Sequence, residues 1–186
     1  MIKKVRDYVL EINQKYKDEA EDKYDFWDNH IKFVVQRSLE LAEIYKADKE
    51  LVEIGALLHD IALMSKVGTK ADHHENGALI AVEFLTKLGL NQAKIDRIRN
   101  IILHHRSSKN AENIEETCVC DADILAHFDS ANNIIINAKK RGKTSEDIRP
   151  WLMKDYNDLS EQTKERLGED LKKKIDNICD TVAKSL

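Results

Sequence analysis

The sequence predicts an all-α protein, on two observations. One proline and six glycines in 186 residues leave few turn signals for strands and hairpins. Apolar residues also recur at intervals of three and four in nearly every segment, which is the period of an amphipathic helix. With 42% hydrophobic residues and no internal repeat, the chain is predicted to build one domain over residues 1–186.

The first half of the chain indicates three helices. An opening helix has Ile2, Val5 and Val9 on one face, and the charged residues 15–25 are predicted to connect it to the next. Asp28 or Asn29 is the expected cap of that second helix. Residues 51–58 are apolar on most sides, which predicts a central, buried third helix that ends on His59-Asp60.

The second half continues in the same way. Asp72 and Asn91 are expected to cap helices over residues 73–88 and 92–105, with Gly89 ending the first of these. A polar loop over residues 106–113 precedes a helix at about 114–130. The remainder is predicted to be helical, with Trp151 and Tyr156 as buried anchors and a terminal helix over residues 164–186.

Composition excludes several functional classes. A net charge of −4 without a basic stripe argues against a nucleic-acid duplex as partner. Three cysteines, an odd number with one C-x-C pair, fit reduced thiols better than a disulfide framework. The first residues lack the apolar core of a signal peptide, and no apolar run approaches the ~20 residues of a membrane helix. We therefore expect a cytoplasmic protein that does not contact a membrane.

The histidines stand in a pattern typical of a metal site. Six of the seven fall in four short clusters, which are His30, His59-Asp60, His73-His74 and His104-His105, and the acids Asp121 and Asp123 follow. Imidazole and carboxylate are ligands for zinc, iron, manganese and similar divalent ions. His59 and Asp60 also lie between apolar neighbours, where an unpaired charge would cost several kcal/mol. A bound metal would satisfy both groups.

This order of residues resembles the HD superfamily of metal-dependent phosphohydrolases. Three segments carry the resemblance, namely Trp27-Asp28-Asn29-His30-Ile31, Gly55-Ala56-Leu57-Leu58-His59-Asp60-Ile61 and Asp121-Ala122-Asp123-Ile124-Leu125. It implies an HD-like helical bundle at about residues 24–130 and added C-terminal helices at about 131–186. It also implies that His30, His59, Asp60 and Asp123 hold a first metal ion, with Asp121 as the alternative to Asp123.

Two further segments resemble the dinuclear members of that superfamily. His73-His74-Glu75-Asn76-Gly77-Ala78 is similar to a His-x-x-x-Gly-Ala helix start, which favours His73 over His74 as a ligand. Leu103-His104-His105-Arg106 is similar to the second histidine cluster, and its spacing leaves His104 and His105 both open. The resemblance implies one or two divalent ions (manganese, iron, cobalt, nickel, zinc or magnesium), with Asp60 bridging. His74 and His127 are expected to lie outside the ligand set.

The resemblance implies hydrolysis of a phosphoester in a nucleotide or another small phosphorylated metabolite. Metal-activated water would be the nucleophile, and Asp60 would be the catalytic carboxylate that orients it. Many relatives follow His-Asp-Ile with Gly-Lys, whereas this chain has Ala62 and a displaced Lys66. Cations in the loops after the ligands are the expected phosphate contacts, namely Lys66, Lys70, Arg106 and Lys109. Alternatives are a di-iron oxygenase or a non-catalytic sensory module of the same fold, and self-association is left open.

Overall fold

The computed structural model describes residues 1–20 and 23–184. Every regular element among these residues is a helix, which confirms the all-α prediction. The chain divides into two compact units, Met1–Asp123 and Ile124–Leu186, and each is described by itself. The single domain over residues 1–186 stays a prediction. Within the described residues, no helix is both long and apolar enough to cross a membrane.

The elements run in the following order. They are α1 (Ile2–Glu19), a π-helical turn (Trp27–Ile31), α2 (Lys32–Tyr45), α3 (Lys49–Leu58), α4 (Ile61–Met64), α5 (His73–Lys87), α6 (Gln92–His104), a 3-10 turn (Ser108–Asn110), α7 (Ile114–Asp129), α8 (Ala131–Lys140), α9 (Ser145–Asp158) and α10 (Glu161–Ala183).

Helix α3 is the centre of the first unit, as its apolar sequence predicts. Seven of its ten residues are buried, and α1, α2 and α6 pack against it. A Cβ atom added at Gly55 would lie 2.5 Å from Cγ2 of Ile101, so the glycine allows α3 and α6 to approach closely. Helix α6 turns its four isoleucines inward. Asn91 caps it, as predicted, because its side chain accepts a hydrogen bond from the backbone N–H of Ala93 at 2.9 Å.

The connection between α1 and α2 differs from the sequence prediction. Helix α1 continues to Glu19, so residues 15–19 are helical, while residues 21 and 22 lie outside the described residues. Asp28 and Asn29 do not cap a helix, because both lie inside the π-helical turn. Asp25 lies just before this turn and supplies the side-chain acceptor instead, because its Oδ1 accepts a hydrogen bond from the backbone N–H of Asp28 at 3.0 Å.

Asp72 precedes α5 but does not cap it with its side chain. Its carboxylate accepts hydrogen bonds from the backbone N–H and the hydroxyl of Thr69. The carboxylate therefore closes the turn before the helix. Gly89 follows α5 with a φ of 73°, the left-handed conformation that a glycine adopts without strain.

In the second unit, α10 packs against α8 and α9. The predicted apolar stripe of α10 is largely buried, although the helix begins at Glu161 rather than near residue 164. The prediction that Trp151 is a buried anchor is wrong. Trp151 is 42% exposed, and the neighbouring Leu152 takes the fully buried position on α9. Tyr156 is half-buried, and a Cβ atom added at Gly168 would lie 2.9 Å from its hydroxyl oxygen.

Candidate metal centre

Imidazoles and carboxylates from several helix ends of the first unit converge. His30 lies in the π-helical turn, His59 and Asp60 follow the last residue of α3, and His73 is the first residue of α5. His105 follows the end of α6, and Asp123 comes from the middle of α7. The long stretches of chain between these positions are helices, so packing of the helices fixes the distances between the side chains.

The first group contains His30, His59, Asp60 and Asp123. Nε2 of His30 lies 3.2 Å from Nε2 of His59 and 3.0 Å from Oδ1 of Asp123. Oδ2 of Asp60 lies 3.6 Å and 3.5 Å from these two ring nitrogens. His59 is fully buried, and the side chains of His30 and Asp60 are about nine-tenths buried.

The second group shares Asp60 with the first. Nε2 of His73 lies 3.0 Å from Nε2 of His105, and both rings are buried. The other carboxylate oxygen of Asp60, Oδ1, lies 3.3 Å from His73 Nε2 and 3.8 Å from His105 Nε2. Asp60 therefore turns one oxygen towards each pair of histidines.

Backbone carbonyls fix the orientation of three of the four rings. In each case the ring Nδ1 lies within hydrogen-bond distance of the carbonyl three residues earlier, at 2.8 Å for His59 to Ala56, 2.8 Å for His73 to Lys70 and 2.6 Å for His105 to Ile102. Because a carbonyl only accepts, Nδ1 carries the proton and donates it. In a neutral ring, Nε2 then has an open lone pair that points into the site, the arrangement found for metal-binding histidines.

The donor set fits divalent metal ions. Two neutral imidazoles with Nε2 atoms 3.0–3.2 Å apart and no proton between them would repel each other through their lone pairs. A cation between them removes that repulsion. Two nitrogens at about 2.1 Å from one ion are about 3.0 Å apart at a right angle and about 3.4 Å apart at the tetrahedral angle, and the separations of 3.2 Å and 3.0 Å fall in that range. A mixture of imidazole and carboxylate suits zinc, iron, manganese, cobalt and nickel.

Electrostatics keep Asp60 and His105 in protonation states that can bind a metal ion. Burial alone would raise the pKa of the Asp60 carboxyl, but the imidazoles of His59, His73 and His30 outweigh it and hold that pKa well below its ordinary value. Burial, followed by the charge of His59, lowers the pKa of His105 to about 4. At neutral pH the site therefore presents an ionised carboxylate and a neutral His105 ring.

Two predicted candidates, His104 and Asp121, lie outside both groups, as does His74, which the sequence analysis did not count among the ligands. Nδ1 of His104 lies 2.8 Å from the Glu116 carboxylate, so the geometry favours His105 over His104 as a ligand. Asp121 is fully buried near Cys118 and Cys120, so the geometry favours Asp123 in the first group. His74 belongs to neither group, and its Nδ1 has no hydrogen-bond partner in the described parts of the chain.

The four predicted phosphate contacts lie in two loops of the first unit. Lys66 forms an ion pair with Glu19 at 3.1 Å, and Lys70 and Lys109 have exposed side chains. Arg106 donates from Nη1 to the backbone carbonyl of Ala71 at 2.8 Å, which ties the loop after α6 to the loop before α5. Burial and the nearby charge of Arg106 act to lower the pKa of His73, but the Asp60 carboxylate outweighs them and raises that pKa above its ordinary value.

Glu116, which the sequence analysis did not single out, binds the His104 ring outside both groups. It is fully buried and holds the His104 ring, the backbone N–H of Glu112 at 2.8 Å and the side-chain amide of Asn113 at 2.7 Å. The backbone N–H of Glu116 in turn donates to Oδ1 of Asn113. The sequence does contain a signal for Glu116, because Asn113 and Glu116 have the spacing of a capping box at the start of α7.

The helical fold and the histidine–aspartate cluster define a class of metal-binding hydrolases. A family model described as "HD domain" matches residues 27–127, more than half of the chain. The protein belongs to the HD superfamily of metal-dependent hydrolases, whose domains bind divalent metals, and the predicted family is thereby confirmed. No curated protein sequence matches the chain.

Solved structures resemble the chain along most of its length. A crystal structure of a predicted HD superfamily hydrolase from an uncultured Thermotogales bacterium is 26% identical, with a TM-score of 0.55. The match covers 69% of this chain and 67% of that one. Bacillus subtilis YpgQ is 18% identical with a TM-score of 0.69, over 100% of this chain and 95% of YpgQ. YpgQ in complex with ADP matches at 18% identity, a TM-score of 0.68 and coverage of 100% and 98%.

Proposed function

We propose that the protein is a dinuclear metal-dependent phosphohydrolase that acts on a nucleotide or another small phosphorylated metabolite. The observation that carries this proposal is the position of Asp60, which turns one carboxylate oxygen towards each of two histidine pairs. A carboxylate in that position is suited to bridge two ions. The ADP complex of YpgQ supports a nucleotide as the substrate class.

Seven donor atoms from six residues would hold the ions. His30, His59 and Asp123 would serve one ion, and His73 and His105 the other, with Asp60 contributing one oxygen to each. The two ions would have three or four protein ligands each. This number leaves coordination positions open for water and substrate, as in catalytic rather than structural sites.

The reaction adds water across a P–O bond of the substrate, so that phosphorus gains one oxygen from water and the leaving oxygen takes up a proton. Bound divalent ions would supply a water of lowered pKa and neutralise the phosphoryl oxygens. Asp60 would orient the attacking water through its carboxylate. Since phosphoesters hydrolyse very slowly unaided, positioning and charge neutralisation account for most of the rate enhancement in enzymes of this kind.

Arg106 is the best-supported phosphate contact of the four predicted cations. It lies one residue after His105, and its guanidinium joins the two loops on which Lys70 and Lys109 are carried. A guanidinium has five N–H donors, so the hydrogen bond to Ala71 leaves donors for a phosphate oxygen. Lys66 is less well placed, because it is engaged by Glu19 and lies over the Tyr16 ring.

A substrate screen tests the proposal. Chelated protein is reloaded with manganese, cobalt, nickel, zinc or iron and incubated with nucleoside mono-, di- and triphosphates, phosphomonoesters and phosphodiesters, and released phosphate, pyrophosphate and nucleoside are measured. We expect at least one ion and substrate to give turnover that His59→Ala abolishes, since that change removes a fully buried ligand. Turnover no higher than that of His59→Ala with every ion would overturn the proposal.

Metal analysis separates hydrolysis from the iron-dependent oxidation that the same ligands permit. Protein purified without added metal is analysed for metal content and for oxygen consumption. Activity restored by manganese, cobalt or nickel without oxygen uptake supports hydrolysis. Two irons per chain together with oxygen uptake, and no phosphate release, would favour an oxygenase instead.

A further inference from the structure

The second unit carries a pocket that is built from none of the candidate metal ligands. It lies at the corner between α8 and α9 and has a volume of about 280 Å³. Ile134, Ala138 and Ile148 form apolar walls, together with the indole of Trp151. Asn137, Arg141 and Lys143 supply its polar groups, and all three are exposed. An apolar pocket with a few convergent polar groups is the usual form of a small-molecule site.

The charge of this corner is strongly positive. Four cations occur within five residues, at Lys139, Lys140, Arg141 and Lys143, in a chain whose net charge is −4. Lys139 and Lys140 lie in the last turn of α8, where they interact favourably with the helix dipole. Arg141 and Lys143 follow the helix end and line the pocket. Within the described residues neither has an ion-pair partner, although Lys143 attracts Asp147 at longer range.

Trp151 is held in place although its indole is exposed. The His127 ring lies 5.8 Å from the Trp151 ring at an interplanar angle of 42°, and Nδ1 of His127 lies 2.9 Å from the buried Asp155 carboxylate. Asp155 is one helical turn after Trp151 on α9. A braced, half-exposed indole beside cations can stack on a planar ligand at little entropic cost.

We infer that this pocket binds a nucleotide, with the base on Trp151 and the phosphates on Arg141 and Lys143. The volume of about 280 Å³ is just below the range of about 300–1,000 Å³ that is typical of small-molecule sites, so the pocket suits one ring system rather than a long chain. Proteins that bind single-stranded nucleic acid use several aromatic side chains along a basic groove, whereas one indole lines this pocket. A mononucleotide therefore fits the pocket better than an oligonucleotide.

The two tryptophans of the sequence make the pocket directly observable. Trp27→Phe leaves Trp151 as the single indole, and its fluorescence is followed during titration with ADP in the presence of a metal chelator. We expect saturable quenching. Adding Arg141→Ala or Lys143→Ala should weaken ADP binding at least tenfold, because each removes a charge-assisted contact to phosphate. The matched control Lys139→Ala, in the last turn of α8 but outside the pocket lining, should change the affinity for ADP less than twofold.

The chelator and the ligand series separate this inference from the proposed function. Quenching that persists in chelated protein and in His59→Ala supports the pocket whether or not hydrolysis is ever found. ADP binding that requires metal, or that is kept in Trp151→Phe by calorimetry, would overturn the inference and leave the proposed hydrolase intact. Adenosine or ribose 5-phosphate binding as tightly as ADP would overturn it, and so would an oligonucleotide that binds far more tightly with a steep salt dependence.

Discussion

Replacing Asp25 by asparagine should destabilise the protein in a way that depends on pH. Asp25 joins α1 to the π-helical turn that carries His30. Its carboxylate accepts hydrogen bonds from Asn13 Nδ2 and the backbone N–H of Asp28, both at 3.0 Å, and pairs with Lys17 at 2.8 Å. Its side chain is 17% exposed. Asp25→Asn keeps the shape and removes the charge.

The pKa of Asp25 sets the size of the effect. Burial alone would raise this pKa, but the hydrogen bonds from Lys17, Asp28 and Asn13 outweigh it and lower it from 3.8 to about 2. At about 1.36 kcal/mol per pKa unit, the ionised Asp25 contributes at most about 2.4 kcal/mol to the free energy of unfolding. Lys17 is partly exposed and its pairing is screened by solvent, so we expect about 1 kcal/mol at neutral pH.

The pH dependence has this direction because the pKa of Asp25 is lower in the folded state than in the unfolded state. The stabilisation is fully present above about pH 4 and is lost as the pH falls through about 2. Urea unfolding of the wild type and of Asp25→Asn, measured from pH 7 down to pH 2, reports the difference directly. Protonation of the histidines destabilises both proteins alike and cancels in that difference.

Asp18→Asn is the matched control. Asp18 is on α1, the helix that carries Asn13 and Lys17, and its carboxylate accepts a hydrogen bond from Gln14 on the exposed side. We expect a change below about 0.5 kcal/mol for this variant at every pH. An Asp25→Asn effect that does not diminish between pH 4 and pH 2, or one no larger than that of Asp18→Asn, would refute the reasoning.

The structure makes three further predictions. Metal content measured by mass spectrometry should fall by one ion per chain in His105→Ala and stay unchanged in His104→Ala, because the His104 ring bonds Glu116 instead of facing the site. Gly55→Ala should cost about 1–3 kcal/mol in urea unfolding, since its Cβ would lie 2.5 Å from a side-chain carbon across the α3–α6 contact. All three cysteines are buried, and burial together with nearby acids raises the pKa of Cys118 to about 12, so Ellman's reagent should label the chain only as it unfolds.

Local signals predicted the helices well and their connections less well. The isoleucines of α6 recur at helical spacing, and the structure buries them as that spacing predicts. The cap before α2 was mispredicted because Asp25 is fixed by Asn13, twelve residues away on another helix. Trp151 was mispredicted because residue type suggested burial, whereas Leu152 occupies the inward position. Tertiary contacts decide both outcomes, and a single sequence does not contain them explicitly.

At the candidate site, too, local sequence signals predicted part of the arrangement and tertiary contacts decided the rest. The sequence named every residue of both groups, because the clustered histidines and the His-Asp pair are conspicuous against an apolar background and the family resemblance added Asp123. It left His104 and His105 open because adjacent residues on a helix point about 100° apart, and only the packing of α6 decides which of them faces Asp60. Their roles as ligands stay predictions. With His105 facing Asp60, the His104 ring lies on the other side of the helix, within hydrogen-bond distance of the buried Glu116.

The placement of these histidines at helix ends has a local physical cause. The last carbonyls of a helix lack partners within the helix, and Ala56 and Ile102 supply such carbonyls in the final turns of α3 and α6. His59 and His105 satisfy them through Nδ1. The same hydrogen bond sets the ring tautomer and directs Nε2 into the site. Each side chain therefore satisfies a carbonyl at the helix end and is oriented as a candidate metal ligand. A side chain with a single polar atom could not perform both tasks, so histidine suits these two positions.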